Sequence, residues 1–161
     1  MELPSLVYGR PQGRGLRLHL GCGDYWRDGS INIDHAILGG TDMVWDLKET
    51  LPFQDNSVEL IESYEFVEHF TKAEIDKMLE DWKRLLIDGG QIMAVVPDIE
   101  ELMKQGLIQQ IYGIEQDHKW GYTNGSLYGL FEEHGFKDIT VEKKLFDHRP
   151  GEPKLEVKCH K

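Results

Sequence analysis

A chain of 161 residues, 40% of them hydrophobic, is long enough for one domain with a buried core and too short for two. The formal net charge of −11 disfavours nucleic acid as a partner, because a phosphate backbone would be repelled on average. The apolar stretches are too interrupted for a membrane span, and the two cysteines, Cys22 and Cys159, exclude a disulfide framework, so a cytoplasmic location is expected.

Residues 1–15 are rich in glycine and polar residues and predict a flexible lead-in, and residues 16–161 are expected to form a single domain. Five short apolar runs, each flanked by turn residues, predict strands that are buried on both faces of a parallel sheet. The predicted strands are Leu16–Leu20, Ile31–Asp34, Met43–Trp45, Val58–Glu62 and Gln91–Val96.

The clearest helix is predicted in the segment TKAEIDKMLEDWKRLLIDGG. Thr71 and Glu74 have the spacing of a capping box, and apolar residues then recur every three or four positions. The pair Gly89-Gly90 is expected to end this helix. The apolar stripe indicates a face that packs in the core.

The remaining segments predict two more helices and a hairpin. IEELMKQGLIQQI predicts a helix that is interrupted at Gly106, and a further helix is expected to begin at a Ser126 cap and to end at Gly135. Two β-rich runs, FKDITVEKKLF and KLEVKCH, are separated by a turn and predict an antiparallel hairpin at one edge of the sheet.

Strands that alternate with helices predict an α/β fold with an open, doubly wound, mostly parallel Rossmann-like sheet and a C-terminal β-hairpin at one edge. Ligands of such sheets bind beyond the carboxyl ends of the strands, where the strand order reverses. Only seven residues separate Gly23 from Ile31, so the first crossover helix is expected to be short or absent.

The turn Gly21-Cys22-Gly23 follows the first predicted strand, and Asp34 ends the second. Glycines let a ligand approach the backbone closely, and an acid at the end of the second strand can accept hydrogen bonds from both hydroxyls of a ribose. A dinucleotide would also need its pyrophosphate held at the start of a full crossover helix. The sequence therefore favours a nucleoside ligand without phosphates over a nicotinamide dinucleotide.

Six motifs occur in an order that resembles the class I S-adenosylmethionine-dependent methyltransferases, and more narrowly a subgroup of small predicted methyltransferases. They are LHLGCG, NIDH, LPFQDNS, EFVEHF, the Gly-Gly pair after the first helix, and VPD. The resemblance covers residues 16–98. It implies S-adenosylmethionine as the cofactor and methyl transfer as the reaction.

The resemblance also assigns parts of the cofactor to successive strand ends. The glycine turn would contact the amino-acid half of the cofactor, and the acid and histidine after the second strand would contact its ribose. The Asp-Leu pair after the third strand would contact the adenine, and the end of the fourth strand would contact the methionine portion. The implied cofactor-binding residues are Gly21, Cys22, Gly23, Asp34, His35, Asp46, Leu47, Ser63 and Tyr64.

His19 departs from the family, which often has an acid two positions before the first glycine. The resemblance then implies that backbone carbonyls supply more of the contact with the cofactor's ammonium group. Because the first crossover is short, Tyr25, Trp26 or the lead-in is expected to cover the amino-acid end of the cofactor.

Methyl transfer from a sulfonium is an in-line displacement from an activated donor, so the enzyme mainly has to align the acceptor and exclude water. An alcohol or amine acceptor must also lose a proton, and His118 and His69 are the predicted proton acceptors. His118 lies in a segment rich in aromatic residues. The alternatives are that His118 is structural and that His69 only orders the start of the following helix.

No metal site is expected, because the seven histidines show no HxxxH spacing and the cysteines no CxxC spacing; a site formed by three histidines from distant positions stays open as an alternative. The favoured acceptor is a small molecule, with sugar-like compounds among the candidates, methylated on oxygen or nitrogen. Two alternatives stay open: a protein that does other chemistry on S-adenosylmethionine, and an inactive partner module. The oligomeric state is not predictable from the sequence.

Overall fold

A computed structural model, which describes residues 15–107, 117–145 and 152–161, has one sheet of seven strands. The strands are β1 (Leu16–Leu20), β2 (Ile31–Asp34), β3 (Met43–Val44), β4 (Val58–Tyr64), β5 (Leu86–Pro97), β6 (Lys137–Leu145) and β7 (Pro153–His160). The helices are α1 (Lys72–Leu85), α2 (Ile99–Lys104) and α3 (Asn124–Glu133), with a 3₁₀ turn at Val67–His69. None of these described helices is long and apolar enough to span a membrane.

The strand order is β3-β2-β1-β4-β5-β7-β6, so the chain reverses direction across the sheet between β1 and β4. The first five strands are parallel, whereas β7 is antiparallel to both β5 and β6. The predicted α/β fold, with a mostly parallel sheet and a C-terminal hairpin at one edge, is confirmed. The reversal point places the glycine turn after β1 next to the end of β4.

The two faces of the sheet differ in polarity because side chains alternate along each strand. One face carries Leu18, Leu20, Ile33 and Ile61, which join the apolar sides of α1 and α3 in a continuous core. Residues in register on the opposite face are His19, Asn32 and Glu62, and all three are buried. The second face is therefore polar and is covered in part by the β1–β2 loop, from which Arg27 reaches Glu62.

The first crossover has no helix between the end of β1 and the start of β2, as predicted. Hydrogen bonds to the second strand replace it. The backbone amides of Gly21 and Cys22 both donate to the carbonyl of Ile33, at 2.9 and 3.2 Å. Further along, the amide of Arg27 donates to Oδ1 of Asn32 at 2.8 Å. The loop is thus held along β2 instead of packing as a helix.

The structure corrects the predicted end of the first helix. Its capping box forms, with the amide of Thr71 donating to Oε2 of Glu74 at 2.8 Å. The helix ends at Leu85, not at Gly89-Gly90, which lie within β5. Amides of the β3–β4 connection donate to the carbonyls of the last helical turn, and this tertiary satisfaction ends the helix without a glycine cap.

The later helices also differ from the predictions at their ends. The cap of α3 is Thr123, three residues before the predicted Ser126, and Ser126 completes the capping box from within the helix. The helix after Pro97 ends at Lys104, and Gly106 follows with φ at +71°. The rest of that predicted helix lies outside the described residues.

Candidate functional site

The two glycines of the turn after β1 have different surroundings. Both have positive φ, +68° at Gly21 and +54° at Gly23, a conformation that favours glycine. A Cβ on Gly21 would lie 2.3 Å from the ring of Phe66, whereas a Cβ on Gly23 would meet no atom within 4 Å. Gly21 is therefore required by packing, and Gly23 presents backbone to open space where a ligand can approach.

Cys22, between the two glycines, is 2% exposed and lies 3.8 Å from the hydroxyl of Thr41. Burial raises the pKa of its thiol to about 11. At neutral pH the group is a protonated thiol, which is a poor nucleophile. This agrees with its interpretation as a small residue of the turn.

Asp34, at the end of β2, is tied directly to the turn. Its Oδ2 accepts a hydrogen bond from the amide of Gly23 at 2.9 Å, and its Oδ1 lies 2.7 Å from Nδ1 of His35. Asp34 is 5% exposed, but the His35 side chain is largely in solvent. The predicted turn and the predicted acid are thus brought together in one unit, with His35 at its outer rim.

The predicted adenine pair follows β3 on the next strand end. The amide of Trp45 donates to the carbonyl of Asp34 at 2.8 Å, which sets the two strand ends side by side. Asp46 is exposed, and its Oδ1 accepts from the amide of Lys48 at 3.0 Å. Leu47 is buried in the core. The carboxylate of Asp46 is accessible, while Leu47 offers its backbone.

Ser63 and Tyr64, at the end of β4, point to opposite faces of the sheet. Ser63 is 1% exposed and lies in register with Leu20 on the apolar face. Tyr64 lies on the polar face, where its ring stacks under the guanidinium of Arg27 at 4.5 Å. Burial raises the pKa of Tyr64 above its ordinary value. Of the pair, Tyr64 is the side chain that faces the cleft described next.

A cleft of about 790 Å³ opens beside the glycine turn on the polar face of the sheet. It is lined by the turn itself, by residues 24–28 of the following loop, and by His19, Tyr64, Glu65, Val95 and Lys154. Tyr25 and Trp26 are both more than half exposed at its wall. Four of the nine predicted cofactor-binding residues therefore line this cleft, namely Gly21, Cys22, Gly23 and Tyr64, and the other five do not.

The charged cleft residues that the sequence does not indicate include Arg27, Glu65 and Lys154. Glu65 has φ at +50°, and its carboxylate pairs with the ammonium of Lys154. Lys154 is 3% exposed, so its charge needs this partner. The alternation of KLEVKCH could have indicated that Lys154 faces the polar side, but which strand it borders depends on β7 inserting beside β5.

His19 lies at the floor of the cleft and is 2% exposed. Its Nδ1 is 2.9 Å from Oδ1 of Asn32, so Nδ1 donates and the lone pair of the neutral ring is on Nε2. Burial lowers the pKa of His19, and the positive charge of Arg27 lowers it further. The neutral ring keeps one acceptor where the family often has a carboxylate.

This environment predicts a pH dependence of stability. In the folded protein the pKa of His19 is below the unfolded value of about 6.5. The contribution of the neutral ring to the free energy of unfolding is therefore complete above about pH 6.5 and is lost as the pH falls through the folded pKa. Glu62 and Asp34 face the ring and oppose the effect, and Arg27 adds to it. We expect His19→Gln to lose less unfolding free energy than the parent between about pH 7 and pH 5. Urea unfolding of both proteins at both pH values measures these losses, and equal losses of unfolding free energy in the two proteins would contradict the prediction.

A second group of side chains lies beyond the end of β4 and contains both predicted proton acceptors. The rings of His69 and His118 are 4.7 Å apart in an edge-to-face arrangement. Nε2 of His118 is 4.0 Å from Oε1 of Glu68, and Glu68 is 1% exposed. Nδ1 of His69 is 3.3 Å from the carbonyl of Asp117. The structure brings together two histidines that are 49 positions apart and adds Glu68, which the sequence analysis does not single out.

The chain is similar in sequence to a known family and to a protein of another organism. A family model described as a methyltransferase domain matches residues 38–94. An uncharacterised protein of Methanocaldococcus jannaschii is 24% identical over 172 residues, covering 98% of this chain and 80% of that protein.

Two solved structures share the fold. A SAM-dependent methyltransferase from Archaeoglobus fulgidus superposes with a TM-score of 0.74 at 17% identity, covering 94% of this chain and 88% of that one. A SAM-dependent methyltransferase from Methanosarcina mazei gives 0.69 at 12% identity, with 94% of both chains covered.

The strand order and the glycine turn bound to the acid of the next strand belong to the fold that this chain shares with these SAM-dependent methyltransferases. The family model of a methyltransferase domain matches the centre of the same fold, residues 38–94.

Proposed function

We propose that this enzyme transfers the methyl group of S-adenosylmethionine to an oxygen or nitrogen atom of a small, polar acceptor, with sugar-like compounds among the candidates. The observation that carries the proposal is the joint position of the two groups of residues at the carboxyl ends of the strands. The glycine turn follows β1, and His69, whose ring packs against that of His118, follows β4, the neighbour of β1 in the sheet.

The proposed cofactor site follows the strand ends in order. Gly21, Cys22 and Gly23 would hold the amino-acid half against the cleft, and Gly23 has the open side that close approach requires. Asp34 and His35 would bind the ribose. The list of proposed cofactor residues is completed by Asp46 and Leu47 at the adenine and by Ser63 and Tyr64 at the methionine portion.

The proposed chemistry needs little from the protein apart from alignment and one proton acceptor. A lone pair of the acceptor attacks the methyl carbon, the carbon–sulfur bond breaks, and the sulfonium leaves as the neutral thioether of S-adenosylhomocysteine. His118 and His69 are the proposed acceptors of the proton that the nucleophile loses. The hydrogen bond of His69 to a carbonyl puts its proton on Nδ1 and its lone pair on Nε2, which suits this role.

A small acceptor is supported by the size of the fold. The described residues form one sheet with its helices and include no further domain that could grip a polymer. The net charge of −11 also disfavours a polyanionic substrate.

The test is a product assay with methyl-labelled S-adenosylmethionine and a panel of small alcohols, phenols, amines and sugars, preceded by calorimetric titration with S-adenosylhomocysteine and with NAD. We expect binding of S-adenosylhomocysteine only, and equal amounts of S-adenosylhomocysteine and methylated acceptor in the assay. Methylthioadenosine or homocysteine lactone without a methylated acceptor would assign other chemistry on the cofactor. Cofactor binding with no turnover on any acceptor in the panel would favour an inactive module.

A further inference from the structure

The group formed by Glu68, His69 and His118 has the composition and compactness of a metal site. One potential ligand atom from each side chain lies within 4.8 Å of the other two. Within residues 15–107, 117–145 and 152–161, this is the one group of three such side chains that comes so close together. Two imidazoles and one carboxylate form a donor set that suits divalent transition metals and not magnesium or calcium.

Backbone hydrogen bonds and one histidine–carbonyl contact hold together the segments that carry these three side chains. The carbonyl of Glu68 accepts from the amides of Lys119 at 2.8 Å and Trp120 at 3.1 Å, which fixes the segment after His118 against the 3₁₀ turn. His69 donates from Nδ1 to the carbonyl of Asp117, which leaves Nε2 as the ligand atom. A backbone carbonyl that orients a histidine in this way is the usual outer partner of a metal-binding imidazole.

Burial and distance favour an ion at this place. The Glu68 side chain is 1% exposed and that of His118 is 7% exposed, so a carboxylate and an imidazole share a nearly dry environment. Nε2 of His118 and Oε1 of Glu68 are 4.0 Å apart. Ligands of a tetrahedral zinc ion lie roughly 3.4 Å from one another, so this pair would have to close by about 0.6 Å, and a pair at the 4.8 Å limit of the group by about 1.4 Å.

We propose that Glu68, His69 and His118 bind one divalent transition-metal ion, with Zn²⁺ as the best fit, and leave one position open for the acceptor. The sequence predicts no metal site because these ligands are not close together along the chain and so form no spacing motif. They come from the 3₁₀ turn after β4 and from the segment before α3. The catalytic role of the metal rests on the proposed function, whereas the geometry of the metal site does not.

A metal at this site would restrict the class of acceptor. The oxygen or nitrogen to be methylated would bind the open position, and the ion would lower the pKa of that atom and hold it in line with the methyl group. The Nε2 lone pairs of the histidines would then bind the ion and would not receive the proton. The substrate class becomes a small molecule whose hydroxyl or amine can coordinate a divalent cation.

The test measures metal binding directly. The full chain is treated with a chelator, freed of it, and titrated with Co²⁺ by visible absorption and with Zn²⁺ by calorimetry. We expect one equivalent of each to bind, and at least a tenfold loss of affinity in both Glu68→Gln and His69→Gln. His134→Gln is the matched control, because His134 also lies beside a carboxylate, 3.3 Å from Asp76, but without a third ligand.

The outcomes separate the two proposals. Because Glu68 is buried, its variant is checked by circular dichroism, and His69→Gln, at a partly exposed position, keeps the test valid if Glu68→Gln unfolds. Binding that is equal in the parent and in a folded His69→Gln variant, or no binding in the parent, overturns the metal site. One bound metal without methyl transfer supports the metal site and contradicts the proposed function. Methyl transfer that persists in the presence of chelator, with no metal bound, supports the proposed function and contradicts the metal site.

Discussion

His118→Ala is expected to lower kcat for methyl transfer by about 10²- to 10⁴-fold, the range for losing a group that activates the nucleophile. The affinity for S-adenosylhomocysteine is expected to stay within about twofold, because His118 lies beside Glu68 and His69 and not on the cofactor cleft. Turnover is measured on the acceptor that reacts fastest in the panel, and affinity is measured by calorimetry.

His160→Ala is the control for this prediction, since His160 pairs in register with Gln91 in the middle of β5, away from the carboxyl end of that strand. It should leave kcat unchanged. Loss of turnover and cofactor affinity together in His118→Ala would indicate a structural role for the side chain. If the parent protein holds a metal, loss of that metal in the variant would identify His118 as a ligand rather than as the proton acceptor.

Asp34→Ala is expected to weaken binding of S-adenosylhomocysteine by about 1 to 3 kcal/mol, or roughly 5- to 150-fold in Kd, because the ribose hydroxyls lose a charged acceptor. The amide of Gly23 loses its partner in the same variant, since Oδ2 of Asp34 accepts from it at 2.9 Å. Asp34→Asn separates the two effects, because the amide oxygen can still accept from Gly23 while the charge is lost. Calorimetric titration measures both variants.

Asp88→Ala provides the reference, because Asp88 is exposed near the start of β5 at the far end of the sheet. The Asp88→Ala variant should bind S-adenosylhomocysteine with the same affinity as the parent. If Asp34→Asn binds S-adenosylhomocysteine as tightly as the parent and only Asp34→Ala binds it more weakly, the Asp34 side chain stabilises the glycine turn and does not bind the ribose. If neither variant is weaker, Asp34 has no part in the cofactor site.

The strands and the turn after β1 were predictable because their signals are local. β1 and β2 have the predicted bounds, and the capping box of Thr71 and Glu74 forms as expected. Helix ends were less predictable. α1 ends at Leu85 because amides from a distant connection satisfy its last carbonyls, and no pattern within the helix reports such contacts.

The site shows the same division between local and long-range information. The glycine turn and Asp34 could be paired from the sequence because neighbouring parallel strands end at the same edge. Glu68 could not be joined to His118 from the sequence, because the two residues are far apart along the chain and meet only through tertiary contacts, such as the hydrogen bonds from the amides of Lys119 and Trp120 to the Glu68 carbonyl. Lys154 reaches the cleft only because β7 lies beside β5.

The position of β7 between β5 and β6 also bears on how the domain is made. During synthesis, β6 leaves the ribosome before β7, yet among the described strands its partner is β7. A nascent chain that has reached only β6 therefore carries an open strand edge on β5, where β7 will later pair. We expect the hairpin to join the sheet as one late unit, and a chaperone that shields strand edges would act on this intermediate.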